Sequence, residues 1–524
     1  MLPHLGTDAE FAALRELLTA AGFGHAGLSR RLEIRSIVDF RAKCDGRTSG
    51  ITFESPLDIW VRLFLDGEFV SQSLIDQFLP PEALPLLQAL HIVAQDPAHP
   101  NDWYATVTLY PAEADLILVG DRPGTPDGSP YRPPLDVVYP GVIENTRHFL
   151  ATLPQSPCEA LLDIGTGSGV AALSAARRYA HQTWGSDIAP RSVRFAEFNR
   201  RLNGLPNATV VEGNMYEPVR GLTFDRIVTH PPYVPAAKIS VIFADGGADG
   251  EEILQHAIEG LPRHLRPGGT FHTLVLGADC EGQNFEDRVR LWLGPKHSEF
   301  DLVMISHSLR PPTEFLARAV GKGNVALSNL KYWAESWNRR NVQFLFYGTI
   351  LLRRHAAARP PVTLRVQRGA TCGPRHAEWL LEWASACEDP AFTAGLMDTH
   401  PSMAPDTEMR VLHRLEGGRL TPQFFAVESF APFNSELRCA SWVVSVIAAC
   451  DGAHTWREHF DRAVREGLVN PETSAAEFGG LLAALAGQGL LRLAEHPLPP
   501  DHHDLNGSDA GGHDGFGLTN PQPG

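Results

Sequence analysis

Leu161-Leu162-Asp163-Ile164-Gly165-Thr166-Gly167-Ser168-Gly169-Val170 is the stretch from which the fold of this chain is read. A short apolar run passes through an acid, and glycines then recur at alternate positions, 165, 167 and 169. Ala171-Ala172-Leu173-Ser174-Ala175-Ala176 follows and is rich in helix formers. The pattern predicts a buried strand, a tight loop and the first turn of a helix. Glycine permits positive φ and lets a ligand come close to the backbone. The helix N-terminus adds free N–H groups and a positive dipole end. A dinucleotide fingerprint would need G-x-G-x-x-G, and Val170 occupies its last position here, so the loop reads D-x-G-x-G-x-G.

Working outward, Thr183 to Asp187 reads as the next strand, closing in an acid 18 residues past Gly169. A carboxylate at that strand end is placed to accept hydrogen bonds from both hydroxyls of a ribose, with Ile188 beside it. Asp187 also suits an N-cap ahead of Pro190. Ala208 to Val211 is a third strand, after which Asn214 can read an adenine edge and Met215 can pack on its ring. Phe224 to Thr229 is a fourth, ending in His230-Pro231-Pro232-Tyr233. Two prolines cannot continue a ladder, so the chain must leave the sheet at its carboxyl edge, where open α/β sheets bind ligands. The loop offers a polar side chain, two carbonyls and an aromatic ring, a set able to hold a planar nitrogen group in line for transfer.

These blocks resemble class I S-adenosylmethionine (SAM)-dependent methyltransferases, in particular the release-factor glutamine N5-methyltransferases and the adenine-N6-type enzymes of the methyltransferase small domain group. His230-Pro231-Pro232-Tyr233 is similar to their Asn/Asp-Pro-Pro-Tyr motif, and Asp245-Gly246-Gly247-Ala248-Asp249-Gly250 to the glycine-rich segment behind it. The resemblance covers roughly residues 135–355. It implies a Rossmann-like α/β core with a mostly parallel seven-stranded sheet, SAM as cofactor, and methyl transfer to a nitrogen of a protein or nucleic-acid substrate. A small-molecule O- or N-methyltransferase and a non-catalytic SAM-binding scaffold are the alternatives. It further implies that Asp163, Gly165, Thr166, Gly167, Gly169, Asp187, Ile188, Asn214 and Met215 hold the cofactor, and that His230, Pro231, Pro232 and Tyr233 are catalytic. The departure is His230: imidazole has one acceptor and one donor where asparagine has a carbonyl and an NH2, and it can also serve as a base.

At 524 residues the chain exceeds one ordinary core. Residues 1–120 are expected to form an α+β accessory domain of winged-helix-like order, 121–134 a Gly/Pro-rich linker, 135–356 the methyltransferase domain, 362–500 a second α+β accessory domain, also winged-helix-like, and 501–524 a disordered tail. Thr7 and Glu10 mark a capping box at a first helix. Trp103 to Tyr110 alternates as a strand that would pair with Ala114 to Val119. The net charge of −16 speaks against a broad nucleic-acid surface. Seven scattered cysteines without a C-x-x-C pair fit a reduced cytoplasm and give no metal site. No apolar run is long enough to span a bilayer, so no membrane partner is expected.

Overall fold

The strand β1 (Cys158–Ile164) is buried from Ala160 to Ile164. A run of apolar residues covered on both faces is what the interior of a parallel sheet requires. The helix α1 (Glu144–Ala151) precedes it, and α2 (Val170–Arg178), β2 (Ala180–Asp187), α3 (Pro190–Leu202), β3 (Ala208–Glu212), β4 (Phe224–Thr229), α4 (Glu252–His264) and β5 (Leu265–Cys280) follow. In this computed structural model the strands lie in the order β5-β4-β1-β2-β3, all parallel. The chain runs outward from β1 to β3 and then crosses back to β4. The direction therefore reverses between β1 and β4, and a crevice at the carboxyl ends of those two strands is the expected ligand site.

The structure describes residues 2–34, 52–236, 245–322, 327–356, 359–367, 372–430, 433–470 and 472–498. The expected tail, 501–524, lies outside them. The chain divides into two compact units: one is Met1–Pro295 with Arg310–Leu345, the other Lys296–Leu309 with the described residues from Phe346 to Leu498. The first also contains α5 (Phe285–Trp292) and α6 (Leu327–Arg339). The remaining strands are β6 (Phe300–Arg310), β7 (Val342–Arg354) and β8 (Thr363–Gln367), with β8 parallel to β6. β8 is a strand that the sequence did not announce: it is only half-buried and follows Pro360-Pro361, so its sequence reads as a boundary rather than as an edge strand.

In the N-terminal region the helix Asp8–Ala20 starts at the expected capping box, with Thr7 and Glu10 bonded in both directions. It buries Phe11, Leu14 and Leu18, and Phe11 meets Phe198 of α3 edge-on at 4.9 Å between ring centres. The expected strand Trp103 to Tyr110 is divided. Asp102–Ala105 joins Val70–Ser71 and Val93–Gln95, whereas Thr108–Ala112 pairs with Leu116–Gly120. Trp103, Ala105, Val107 and Leu109 are all buried through the break, so alternation alone hides the change of partner. Two side-chain amides bind this region to α3. Asn199 accepts from Val119 N–H at 2.7 Å and donates to Val119 O at 3.0 Å; Asn203 does the same with Ile117 at 2.9 and 2.7 Å. Asn199 also donates to Ser168 O, inside the glycine loop, at 2.8 Å.

The second unit holds the helices Ser441–Ala448, Trp456–Arg465 and Ala475–Gly487, with Trp456 stacked on Phe478. It also holds an antiparallel arm, Glu408–Glu416 with Arg419–Ser429, that sequence reading left out. Most of the arm is exposed on both faces, so its strands lack the apolar alternation that would have marked them. Among the described residues no helix is long and apolar enough to cross a membrane.

Candidate functional site

Gly165, Gly167 and Gly169 adopt φ of 70°, 56° and 86°. A Cβ at Gly165 or Gly167 would meet nothing within 4 Å, so backbone conformation alone demands glycine there and the loop faces open space. At Gly169 a Cβ would meet Leu173 at 3.0 Å and Ala196 at 3.3 Å, so packing adds to the demand. Gly165 and Thr166 donate their N–H groups to Ser186 O, tying the loop to the end of β2.

Asp163 braces this loop from within. It is 2% exposed, and its Oδ2 accepts from the Thr166 hydroxyl at 2.6 Å and from Ala172 N–H at 3.3 Å. Burial pushes its carboxyl up to about 7 despite these two bonds. Between about pH 4 and 7 the folded chain thus keeps a proton that the unfolded chain has released, so this group favours folding at low pH and loses that contribution as pH rises through about 7. Asp163→Asn keeps an acceptor without the titration. Its unfolding midpoint relative to the parent should rise from pH 4 to 8, and an offset independent of pH would refute the protonated Asp163.

Asp187 ends β2 and is 9% exposed. Its Oδ2 accepts from Gly167 N–H and its Oδ1 from Ala189 N–H, both at 2.9 Å. Burial raises its carboxyl above the usual range, and those N–H bonds oppose the rise. The Ser192 hydroxyl and the Ile188 N–H also bond to this carboxylate, which is thus held in place at the strand end. Ile188 beside it is 58% exposed, an apolar side chain left in solvent at the sheet edge. The backbone continues the pairing: Gly213 N–H donates to Asp187 O at 2.9 Å, which brings Asn214 and Met215 next to Asp187. Asn214 is exposed; Met215 is half-buried at φ 49° and its carbonyl accepts from Ser186 Oγ.

On the other side of β1, Ile164 pairs in register with Thr229, and Thr229 Oγ1 donates to Ile164 O at 2.8 Å. Gly165 and His230 are the next residues, so the two loops leave neighbouring strands side by side, about 5 Å apart. Pro231 and Tyr233 are buried, Pro232 half-buried. His230 is half-buried, yet its Nε2 is sealed from solvent and has no hydrogen-bond partner. Burial alone lowers the imidazole to about 4, so the ring is neutral at physiological pH. Its face lies flat on Phe149 of α1, with ring centres 5.0 Å apart and planes 18° from parallel. Asn145, one turn earlier on the same helix, donates to the Tyr233 hydroxyl at 3.2 Å. Burial raises the Tyr233 phenol above its ordinary value, so it stays protonated.

The glycine-rich segment lies against this loop. Val234 and Asp245 form a bridge, Gly246 N–H donates to Val234 O, and Ala236 N–H donates to Gly247 O. A Cβ on Gly246 would lie 2.8 Å from Pro232 O and from the Tyr233 Cα, so only glycine allows the two backbones to approach. α6 holds the assembly from outside: Trp333 donates to Pro235 O and Tyr332 to Ala248 O. Glu251 anchors the segment's end. It is 3% exposed and takes Arg288 in a two-pronged bond at 3.0 and 2.8 Å, Arg340 at 3.1 Å and Ala278 N–H at 3.0 Å. Sequence reading missed Phe149, Asn145 and Glu251. The one available sign was the four-residue spacing of 145 and 149, which sets them on one helix face.

Residues 141–279 match the family model of the methyltransferase small domain. A release factor glutamine methyltransferase of Moorella thermoacetica is 36% identical over 148 residues, which are 26% of this chain and 52% of that protein. A putative protein N5-glutamine methyltransferase of Methanocaldococcus jannaschii is 38% identical over 120 residues, 22% of this chain and 60% of that protein. A ribosomal protein uL3 glutamine methyltransferase of Bradyrhizobium diazoefficiens is 29% identical over 161 residues, 28% of this chain and 50% of that protein. The chain therefore spans from half to three fifths of the length of these relatives. Both loops at the switch point lie inside the stretch, residues 141–279, that matches the methyltransferase small domain.

Proposed function

We propose that this chain is a SAM-dependent methyltransferase acting on a nitrogen of a protein, with the carboxamide of glutamine as the acceptor. One observation carries the reading: the glycine loop and the His-Pro-Pro-Tyr loop emerge side by side from β1 and β4, where strand order reverses. The residues present suit SAM. Open space faces Gly165 and Gly167, Asp187 sets a carboxylate at the strand end for ribose hydroxyls, Ile188 offers an apolar face for adenine, and the exposed Asn214 offers an amide for its edge. Asp163 and Thr166 belong to this set as the brace that shapes the loop. When bound, SAM supplies an electrophilic methyl group on a positively charged sulfur.

The chain's own contribution is alignment. In this reading His230 meets the substrate's planar group, the carbonyls of Pro231 and Pro232 accept from its NH2, and Tyr233 closes the loop under it. Orientation of this kind accounts for much of the rate in a reaction whose charge disperses in the transition state. The named relatives act on release factors and on ribosomal protein uL3, which favours a protein acceptor over a nucleic acid. The net charge of −16 points the same way. The cytoplasm, where translation proteins are made, is the compartment we assign. Incubation of the full chain with methyl-labelled SAM and purified release factor, alongside total RNA and a small-molecule extract, tests it. Label is expected in protein, recovered on glutamine after digestion. Label in RNA or small molecules alone would overturn the assignment.

A further inference from the structure

The sealed face of His230 tells what its other face can do. A neutral imidazole carries one proton on one of two nitrogens. Nε2 is sealed from solvent with no partner, whereas Nδ1 is not sealed in this way, and the face of the ring rests on Phe149. A buried N–H without an acceptor is among the rarest arrangements in proteins, and a buried lone pair is better tolerated. The proton therefore belongs on Nδ1, and the nitrogen left to meet a substrate is a donor.

We propose that the sealed Nε2 makes His230 a hydrogen-bond donor, with Phe149 as the positioning residue that holds its ring plane, so that Nδ1–H binds the carbonyl oxygen of a carboxamide while the loop's prolyl carbonyls receive its NH2. Asn145 completes the arrangement by fixing the Tyr233 hydroxyl from the same helix. Asparagine at this position would present an acceptor and a donor together. Histidine in this setting presents the donor alone, and a carboxamide, with both an oxygen and an NH2, can satisfy that donor and the carbonyls at once. A hydroxyl or a simple amine lacks the carbonyl oxygen. The inference rests on the methyltransferase reading for its substrate half; the state of the imidazole does not.

The imidazole is tested on the full chain without any substrate, by 15N spectroscopy of histidine-labelled protein at pH 7. The His230 signals are identified by their loss in His230→Asn. The parent should show an unprotonated Nε2 and a protonated Nδ1. A protonated Nε2 in the parent overturns the proposal. With release factor as acceptor, Phe149→Leu should lower kcat roughly tenfold with the KM for SAM unchanged, and should cost nothing further in the His230→Asn background. Equal losses in both backgrounds would mean that Phe149 does not act through His230. Failure of the parent to methylate any acceptor would remove the proposed function, while the imidazole measurement would still decide this point.

Discussion

Glu251→Ala is expected to destabilise the first unit by about 3–5 kcal/mol, the cost of breaking a buried ion pair from one side. The carboxylate is the meeting point of two guanidinium groups, and their side chains are only 11% and 21% exposed at Arg288 and Arg340. Removing it takes the shared partner from both guanidinium groups, leaving Arg340 with Asp249 at 3.7 Å, and orphans the Ala278 N–H. Glu251→Gln keeps the shape and an acceptor but not the charge, so it should fall between Ala and the parent. Urea denaturation followed by tryptophan fluorescence would measure the order. Glu251 also ends the glycine-rich segment on which Pro232 and Tyr233 rest, so the Ala variant should lose methylation before it loses its fold. An Ala variant as stable as the parent would show that the two arginines find other partners and that the latch carries little energy.

His230→Ala is expected to lower the methylation rate by about 100-fold while leaving SAM affinity within about twofold, because the loss is one of substrate orientation. Calorimetry with SAM and turnover with labelled SAM separate the two quantities. His230→Asn, which restores a donor on a planar side chain, should recover much of the rate. The parent's acid limb carries its own sign. Because burial holds the imidazole at about 4, the ring stays neutral down to roughly pH 5, and the rate should not decline around pH 6.5 as it would with an ordinary histidine. Its contribution to stability, by contrast, is present above the ordinary histidine value and is lost as pH falls from 6.5 toward 4. A rate that halves near pH 6.5 would return His230 to the role of general base.

The core was legible because its signals are local. Strand, glycine loop and helix follow one another within Leu161 to Ala176, and the proline pair fixes where β4 must end. Asp187 and His230 could be named because each ends a strand, and strand ends in a parallel sheet share one edge. What could not be read is contact at a distance. Phe149 lies 81 positions before His230, and no pattern in α1 announces that its ring will lie on an imidazole. Glu251 has the same character, since its partners at 278, 288 and 340 come from three separate elements. The division of Trp103 to Tyr110 was hidden because a strand that changes sheets keeps its alternation. β8 was hidden because edge strands need little burial.

The asparagine pair on α3 has a consequence for anyone who would cut this chain down to the stretch 141–279. Asn199 and Asn203 complete the hydrogen bonding of Leu116–Gly120 as a neighbouring strand would, and Asn199 reaches on to the carbonyl of Ser168 between two of the loop's glycines. Excision would strand two amides in an apolar surface and loosen the turn they steady. The front of the chain is thus less a passenger than part of the scaffolding that keeps the turn in shape, and gene fusions or truncations should keep both together.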